Sequence, residues 1–287
     1  MTVQAHISPA RVGSLSLSRG DLGLFLLAGF AVAEQEPLTS SMTLGHVLDA
    51  LGRQNLFLVF ALYVAARRFL SSGKDLGLSR TDWALAAVGT VLFGIVCFTG
   101  VYQLAGLVLT LLLIPLRFTG ARDKEFNSAL LVCGALAINS FWGPLLFQTF
   151  TATIIGFDTT LLHWAYALLR PDIQQHGVTF QQANGFGIVV VGACSVFNSA
   201  SVAFLAATAM TQLLKPGFGR RDIAVLLMVL ASMIAINTGR LIVMGWGHEQ
   251  FAFWHDGTGG LYISFGQTIV IAAVALLGAR WAVKDRT

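Results

Sequence analysis

Long apolar runs separated by short polar segments constrain this chain more than any other feature. Of its 287 residues, 55% are hydrophobic and only 11% are charged. A soluble domain carries about 25% charged residues, so this chain has too few to cover a surface that faces water. Most of the runs approach the ~20 residues that cross a bilayer as a helix. The sequence therefore predicts an all-α, polytopic integral membrane protein in contact with a lipid bilayer.

Eight apolar runs divide the chain, and we predict that they are the transmembrane helices of a single domain covering residues 1–287. In hydrocarbon every backbone polar group needs an internal partner, and a helix provides it. The first run is the weakest, because Glu34 and Glu36 shorten it. The predicted spans are 21–34, 54–70, 82–98, 101–118, 127–147, 185–213, 222–246 and 259–283.

The basic residues predict the orientation of these spans. Fifteen of the 18 Lys and Arg residues lie at one set of span ends, Arg53 and Arg170 lie at the other, and Arg240 lies within a span. Cytoplasmic loops carry the excess of basic residues. We therefore expect a multi-pass protein of the cytoplasmic membrane with both termini inside, including the N-terminal segment 1–20. This clustering between spans does not indicate a nucleic-acid surface.

In this orientation the long segment 148–184 lies outside the membrane. Within it, residues 158–170 mix Leu, Trp and Tyr with polar side chains. One interpretation is an amphipathic helix lying flat in the membrane interface. The other is a structured loop anchored by Trp164 and Tyr166.

A charged residue within a span is the first candidate for chemistry. Arg240 costs at least ~2.5–3.5 kcal/mol at the centre of a transmembrane helix. Asn237 lies three residues earlier, on the same helical face. Arg240 is either a structural residue bonded to backbone carbonyls or a functional group, which is the default hypothesis for an intramembrane charge.

The three cysteines all lie within predicted spans, which argues against a disulfide framework. Cys97 and Cys133 stand among apolar residues and are expected to act as small packing groups. Cys194 differs, because Asn198 and Ser201 would share its helical face. That polar face indicates either helix packing or a reactive thiol.

His255 stands just outside the last predicted span, on the outer side of the membrane. Asp256 and three nearby glycines follow it, and glycine lets a backbone approach its neighbours closely. Histidine is the side chain best suited to transfer protons near neutral pH. The alternative is an ordinary solvated loop residue.

Together these groups suggest a site for peptide acyl transfer. A Cys/His pair supplies a nucleophile and its base, and a fixed cation stabilises an oxyanion and favours the thiolate. We therefore predict Cys194, Arg240 and His255 as catalytic residues. Residues expected to support them are Asn198, Asn237 and Asp256.

Three short motifs resemble those of the exosortase/archaeosortase family. They are ACS at 193–195, NTGR at 237–240 and HDGTG at 255–259, each on or beside its own late span. The resemblance extends to the eight-span layout, although its specific part is confined to about 185–260. One departure is Val196, where many members have glycine after the Cys-Ser pair.

The resemblance implies a membrane-embedded cysteine peptidase and transpeptidase. Cys194 would be the nucleophile, Arg240 the transition-state stabiliser and His255 the acid/base. Substrates would be exported proteins that end in a short motif (often Pro-Glu-Pro), a transmembrane helix and a basic tail. The enzyme would cleave near the motif and transfer the new C-terminus to an acceptor.

Two other hypotheses remain open. In a membrane transporter or assembly factor for exported polymers, Arg240 would bind an anionic solute, and Asn139, Asn198 and Asn237 would line a path. Transporters often contain repeats, and we find none. The last hypothesis is an inactive family member that serves as a scaffold, although its three predicted catalytic residues are all present.

The sequence shows no metal-ligand cluster and no phosphate loop, so we predict no metal and no cofactor.

Overall fold

Helices make up most of the chain that the computed structural model describes, which comprises residues 17–34, 55–72, 78–119, 123–255 and 257–284. The helices are α1 Arg19–Glu34, α2 Asn55–Ser71, α3 Arg80–Thr99, α4 Leu104–Thr119, α5 Lys124–Ala137, α6 Gly143–Leu169, α7 Ala200–Leu214, α8 Arg220–Met244, α9 His248–His255 and α10 Thr258–Lys284. The strands are β1 Gln174–His176, β2 Thr179–Gln181 and β3 Gly187–Val189.

Four of the described helices are long and apolar enough to cross a membrane. They are Arg80–Thr99, Lys124–Leu169, Arg220–Met244 and Thr258–Lys284. Two shorter apolar helices cover Leu104–Arg117 and Ala200–Leu214. Large apolar side chains point outwards from these helices, and Phe98 of α3 is 94% exposed. These features are compatible with a membrane-embedded protein, while the count of eight spans stays a prediction.

A single helical stretch of 46 residues runs from Lys124 to Leu169. It joins α5 to α6 through the π-helical segment Ile138–Trp142 and bends at Phe150, whose φ and ψ are not helical. At 1.5 Å per residue the stretch is about 69 Å long, more than twice a ~30 Å hydrocarbon layer. The helix therefore continues past the predicted span end at 147 and reaches Leu169, while the position where the span leaves the membrane stays a prediction. The loop interpretation of 158–170 is wrong, because this segment is helical up to Leu169.

The predicted helix over 185–213 is correct only in its second half. Residues 187–199 form β3 and two turns of 3₁₀-helix, Gly192–Cys194 and Val196–Ser199, and α7 begins only at Ala200. Three consecutive valines at 189–191 favour extended backbone, and Ser195 accepts a hydrogen bond from the N–H of Phe197 at 3.2 Å. Such local side-chain bonds compete with helix formation.

The chain is thus not purely α-helical, because a small antiparallel sheet lies between α6 and α7. Its strand order is β1-β2-β3. Gln175 pairs with Phe180 and Phe180 pairs with Ile188. Phe180 and Ile188 are buried, whereas Val189 beside them is exposed, as the period-2 alternation of a strand requires.

Buried polar contacts join the helices at one end of the main bundle. Arg68 of α2 donates to the carbonyls of Gln212 and Leu213 and pairs with Glu125 of α5. The last carbonyls of a helix have no intrahelical partner, so Arg68 satisfies the end of α7. Nearby, the buried carboxylate of Asp82 closes the first turn of α3 and pairs with Arg19 at 3.2 Å.

A second, smaller core lies beside the sheet, and we call it the sheet-side core. Its buried members are Leu162, Tyr166, Phe180, Ile188, Val190, Cys194, Leu241 and Met244. The Tyr166 hydroxyl donates to the Leu241 carbonyl at 2.9 Å and lies near the Ile242 carbonyl at 3.3 Å. Tyr166 is therefore a buried link between α6 and α8.

The close contact between Tyr166 and Gly245 predicts that a methyl group added at position 245 destabilises the protein. A Cβ at position 245 would overlap the Tyr166 hydroxyl, and overpacking of this kind costs about 1–3 kcal/mol. We expect Gly245→Ala to lower the thermal unfolding temperature in detergent. Gly247→Ala is the matched control, because a Cβ there meets no atom within 4 Å.

Combining Gly245→Ala with Tyr166→Phe tests the cause. Tyr166→Phe alone loses one buried hydrogen bond, worth about 1 kcal/mol. We expect the double variant to be more stable than the sum of the two losses predicts. Strictly additive losses would show that the hydroxyl is not what the added methyl group displaces.

Candidate functional site

Cys194 lies in the first 3₁₀ turn, not on a transmembrane helix. The residue is 8% exposed, and its N–H donates to the Val191 carbonyl at 2.8 Å. The Asn237 side-chain amide of α8 donates to the Cys194 carbonyl, also at 2.8 Å. The predicted helical face shared by Cys194, Asn198 and Ser201 is therefore wrong, because this backbone is not α-helical.

The other polar groups expected near Cys194 divide into two sets. Ser201 lies in the first turn of α7 and donates to the Asn139 side chain at 3.2 Å, so it joins α7 to the π-helical segment. The side chain of Asn198 and residue Asp256 lie outside the part of the chain that the structure describes. Their predicted supporting roles stay predictions.

Arg240 lies near the end of α8 and is partly buried. Its Nε and Nη2 atoms donate to the Trp254 carbonyl at 3.3 and 3.2 Å. This is the bond to a backbone carbonyl that the structural interpretation predicts. The same contact brings the guanidinium to the peptide group that connects Trp254 to His255.

His255 is the last residue of α9, a short helix where the sequence analysis expects only a loop. Its exposed imidazole stacks on the Phe251 ring, with centroids 4.8 Å apart and an interplanar angle of 12°. The helix α10 begins at Thr258. In its first turn, a Cβ at Gly259 would lie 2.6 Å from the Phe253 ring, so the close approach of α9 and α10 requires glycine there.

α8 is the element that brings the predicted residues into one region. Asn237 contacts the Cys194 segment and Arg240 contacts the end of α9. The two residues are three positions apart, which is about 4.5 Å of helix rise. Phe251 and Trp254 also pack against the sheet-side core that contains Cys194. The structure therefore groups Cys194, Asn237, Arg240 and the helix that ends at His255.

Asp158 lies near this region and is not among the residues predicted from the sequence. It is 5% exposed. Its Oδ2 atom is buried with no hydrogen-bond partner among the described residues. The neighbouring ring of Phe157 packs edge-on against Phe197 at 5.5 Å. Thus α6 packs against the turn that follows Cys194 through Phe157, and the next residue of α6 is a buried carboxylate.

A pattern in α6 contains the signal for Asp158. Residues of one face recur at intervals of three or four, as on the buried side of a helix. They are Phe147, Thr151, Ile155, Asp158, Leu162 and Tyr166. Gly192 lies against the Phe147 and Thr151 side chains, and Leu162 and Tyr166 belong to the sheet-side core. A single acidic residue in a stripe of otherwise uncharged, inward-facing residues marks Asp158 as a candidate site residue.

The arrangement offers a thiol, a guanidinium, an imidazole and a buried carboxylate within neighbouring elements. Those groups suit nucleophilic and acid/base chemistry. No three His, Cys, Asp or Glu side chains of the described ranges come together as metal ligands. No family model, curated protein or solved structure matches this chain. The resemblance to exosortases therefore rests on the three motifs, and membership of that family stays a prediction.

The bond between Asn237 and Cys194 predicts the reactivity of the thiol. We expect Asn237→Ala to free the turn and to speed alkylation of Cys194 by iodoacetamide about tenfold, as the loss of a buried hydrogen bond suggests. Site-resolved mass spectrometry would measure the rate. Asn139→Ala is the control, because its amide bonds Ser201 instead. Equal rates of Cys194 alkylation in the two variants would show that Asn237 does not hold Cys194 in place.

Proposed function

We propose that this protein is a membrane-embedded cysteine transpeptidase of the exosortase kind. The observation that carries the proposal is the pair of contacts made by α8. Asn237 bonds the nucleophile's own carbonyl, and one turn later Arg240 bonds the peptide next to His255. A structural arginine alone would not require the segments that carry Cys194 and His255 to meet the same turn of helix.

The proposed substrate is the C-terminal part of an exported protein, with a short motif, a transmembrane helix and a basic tail. In the proposed topology both termini are cytoplasmic and the site faces the outer side of the cytoplasmic membrane. A substrate helix in the bilayer would hold the motif near that face. Binding energy from such a remote part of a substrate helps to position the reacting bond.

In the first half of the reaction the Cys194 thiolate attacks the carbonyl carbon of the scissile peptide. The C–S bond forms while the carbonyl oxygen gains negative charge, and Arg240 stabilises that charge once it exchanges the Trp254 carbonyl for the oxyanion. Collapse of the intermediate breaks the C–N bond. His255 gives the leaving amine its proton, and a thioester remains on Cys194.

In the second half an acceptor with an amine or hydroxyl attacks the thioester. The proton of the acceptor passes to His255, the C–S bond breaks and the Cys194 thiolate is restored. No oxidant, metal or nucleotide enters this sequence, and water in place of the acceptor gives simple hydrolysis.

The transport alternative gains no comparable support from the contacts. It requires Arg240, Asn139 and Asn237 to face a path for a solute. Instead, Arg240 donates to the Trp254 carbonyl and Asn237 donates to the Cys194 carbonyl. Asn139 accepts a hydrogen bond from the Ser201 hydroxyl. These bonds connect helices to neighbouring segments, as structural or site-forming residues do.

The decisive test is the mass of a processed substrate. We expect wild-type protein to shorten a co-expressed protein that ends in a motif, a span and a basic tail. Cys194→Ala should abolish processing, because the thioester cannot form. Intact-mass analysis of the substrate reads the cleavage position and any acceptor attached.

Replacement of the other two cysteines is the matched control. Cys133 is buried in the main bundle and Cys97 is exposed on α3. The Cys97→Ala/Cys133→Ala variant should process substrate at close to the wild-type rate. Normal processing by Cys194→Ala would rule out the proposed nucleophile.

The two histidines of α9 provide a test of the acid/base. His248 begins the helix and His255 ends it, and both are exposed. We expect His255→Ala to lower turnover by about 10²–10⁴, the usual contribution of general acid–base catalysis. His248→Ala should retain activity with an unchanged pH profile between 5.5 and 9. The reverse result would transfer the role to His248.

A further inference from the structure

A groove of about 580 Å³ lies between α4, α5 and the segment that joins α7 to α8. Its α4 wall is one face of the helix, because the lining residues recur at intervals of three or four. They are Thr110, Leu113, Ile114 and Arg117. The matching face of α5 runs from Asn127 to Gly134. None of the described lining residues belongs to the candidate site around Cys194.

The groove is polar at one end only. Arg117 and Asn127 lie at the end near the connection between α4 and α5. Thr110 and Gly134 are seven residues away along their helices, which is about 10 Å of helix rise. The Thr110 hydroxyl donates to a carbonyl of its own helix at 2.8 Å and accepts from the Trp142 ring N–H at 3.0 Å. It is therefore satisfied, and the remaining α4 and α5 walls are leucine and isoleucine.

Both polar groups at that end lack a partner within the part of the chain that the structure describes. The side chain of Arg117 is exposed and makes no hydrogen bond or ion pair there. The Oδ1 atom of Asn127 is buried and accepts no hydrogen bond. A buried acceptor without a donor costs free energy, and a guanidinium matches the geometry of a phosphate. The two groups therefore suit a ligand that carries a phosphate and a hydrogen-bond donor.

The surroundings of the groove supply such a ligand. The apolar walls are open to the outside of the bundle, since Ile114 and Leu131 are exposed. In the predicted orientation Arg117 lies at the cytoplasmic end of its span. Anionic lipids give that leaflet a negative surface potential, and basic pockets between transmembrane helices on that side bind anionic headgroups. The charge of these lipids complements Arg117.

We propose that this groove binds one anionic phospholipid. Its phosphate lies on Arg117, a headgroup hydroxyl donates to Asn127, and part of an acyl chain follows α4 and α5 towards Gly134. This binding does not depend on the peptidase chemistry. The basic tail of the proposed substrate fits the groove less well, because it would bring positive charge to Arg117.

Native mass spectrometry of the full-length protein in detergent tests the proposal. Phosphatidylglycerol or phosphatidylcholine with identical acyl chains is titrated in, and the apparent Kd of the first bound lipid is measured. Phosphatidylcholine has no net charge, and its quaternary ammonium has no hydrogen to donate. A hydrogen bond to a charged group corresponds to about tenfold or more in affinity. We therefore expect wild-type protein to bind phosphatidylglycerol about tenfold more tightly than phosphatidylcholine.

Three variants change the parts of the site separately. Arg117→Gln removes the charge from an exposed side chain and should bring the two Kd values together. Asn127→Asp keeps the size of the side chain but adds negative charge, so it should weaken the binding of phosphatidylglycerol alone. Gly134→Leu should weaken the binding of both lipids. A Cβ at position 134 meets no atom within 4 Å, so the larger side chain fills the groove without displacing the helices.

Two further variants are matched controls. Arg80 is exposed at the start of α3 and belongs to the same predicted membrane face, but it does not line the groove. A Cβ at Gly266 of α10 also meets no atom within 4 Å. Arg80→Gln and Gly266→Leu should bind both lipids as the wild type does. The thermal unfolding temperature of every variant checks that the fold is intact.

Several results would overturn the proposal. One is equal affinity of the wild-type protein for the two lipids, and another is an equal loss of preference in Arg80→Gln and Arg117→Gln. Unchanged binding in Gly134→Leu would show that the acyl chain lies elsewhere. Displacement of the lipid by inorganic phosphate at the same concentration would indicate an anion site without a lipid. A dimer that Gly134→Leu dissociates would show that a second copy of the chain fills the groove.

Discussion

The hydrogen bond from Asn237 to the carbonyl of Cys194 is the contact on which the candidate site depends. Backbone outside a helix has polar groups that need partners, and an apolar environment offers few. The segment 190–199 is irregular and lies against apolar faces of α6 and α8. An amide on α8 solves this problem for the carbonyl of Cys194. The same helix carries Arg240, so the partner of the irregular segment also sets its distance from the end of α9.

The sequence predicts the helices well wherever an apolar run has only one structural solution. Runs of roughly 17 to 25 apolar residues are too long for strands, which favours helices such as α3, α8 and α10. The run at 185–213 has a second solution. Its first residues are rich in valine and glycine, and apolarity alone does not distinguish a buried strand from a buried helix. Strand β3 and the 3₁₀ turns are not predicted for that reason, and the number of spans stays a prediction.

For the site, the sequence identifies residues by chemical type and the structure adds their partners. A cysteine, an arginine and a histidine beside late spans are visible in the sequence, and the structure groups the elements that carry them. The bond of Arg240 to the Trp254 carbonyl depends on α9, which was expected to be a loop. Asp158 is not predicted from the sequence, because its burial depends on the packing of α6, whose Phe157 contacts Phe197. Such a pairing depends on the tertiary fold and leaves little local signal.

The π-helical segment Ile138–Trp142 affects the direction in which α6 faces. A π turn accommodates one residue more than an α-helical turn, so the residues after it face about 100° away from where an unbroken α-helix of the same sequence would place them. If Ile138–Trp142 were α-helical, Asp158 and Tyr166 would therefore point about a quarter turn away from their present neighbours. The helical phase of α6 is thus set about twenty residues before the carboxylate. In a related protein, loss of one residue near 140 together with the π turn would leave α6 facing the same way, whereas loss of the π turn alone would rotate this side of the site.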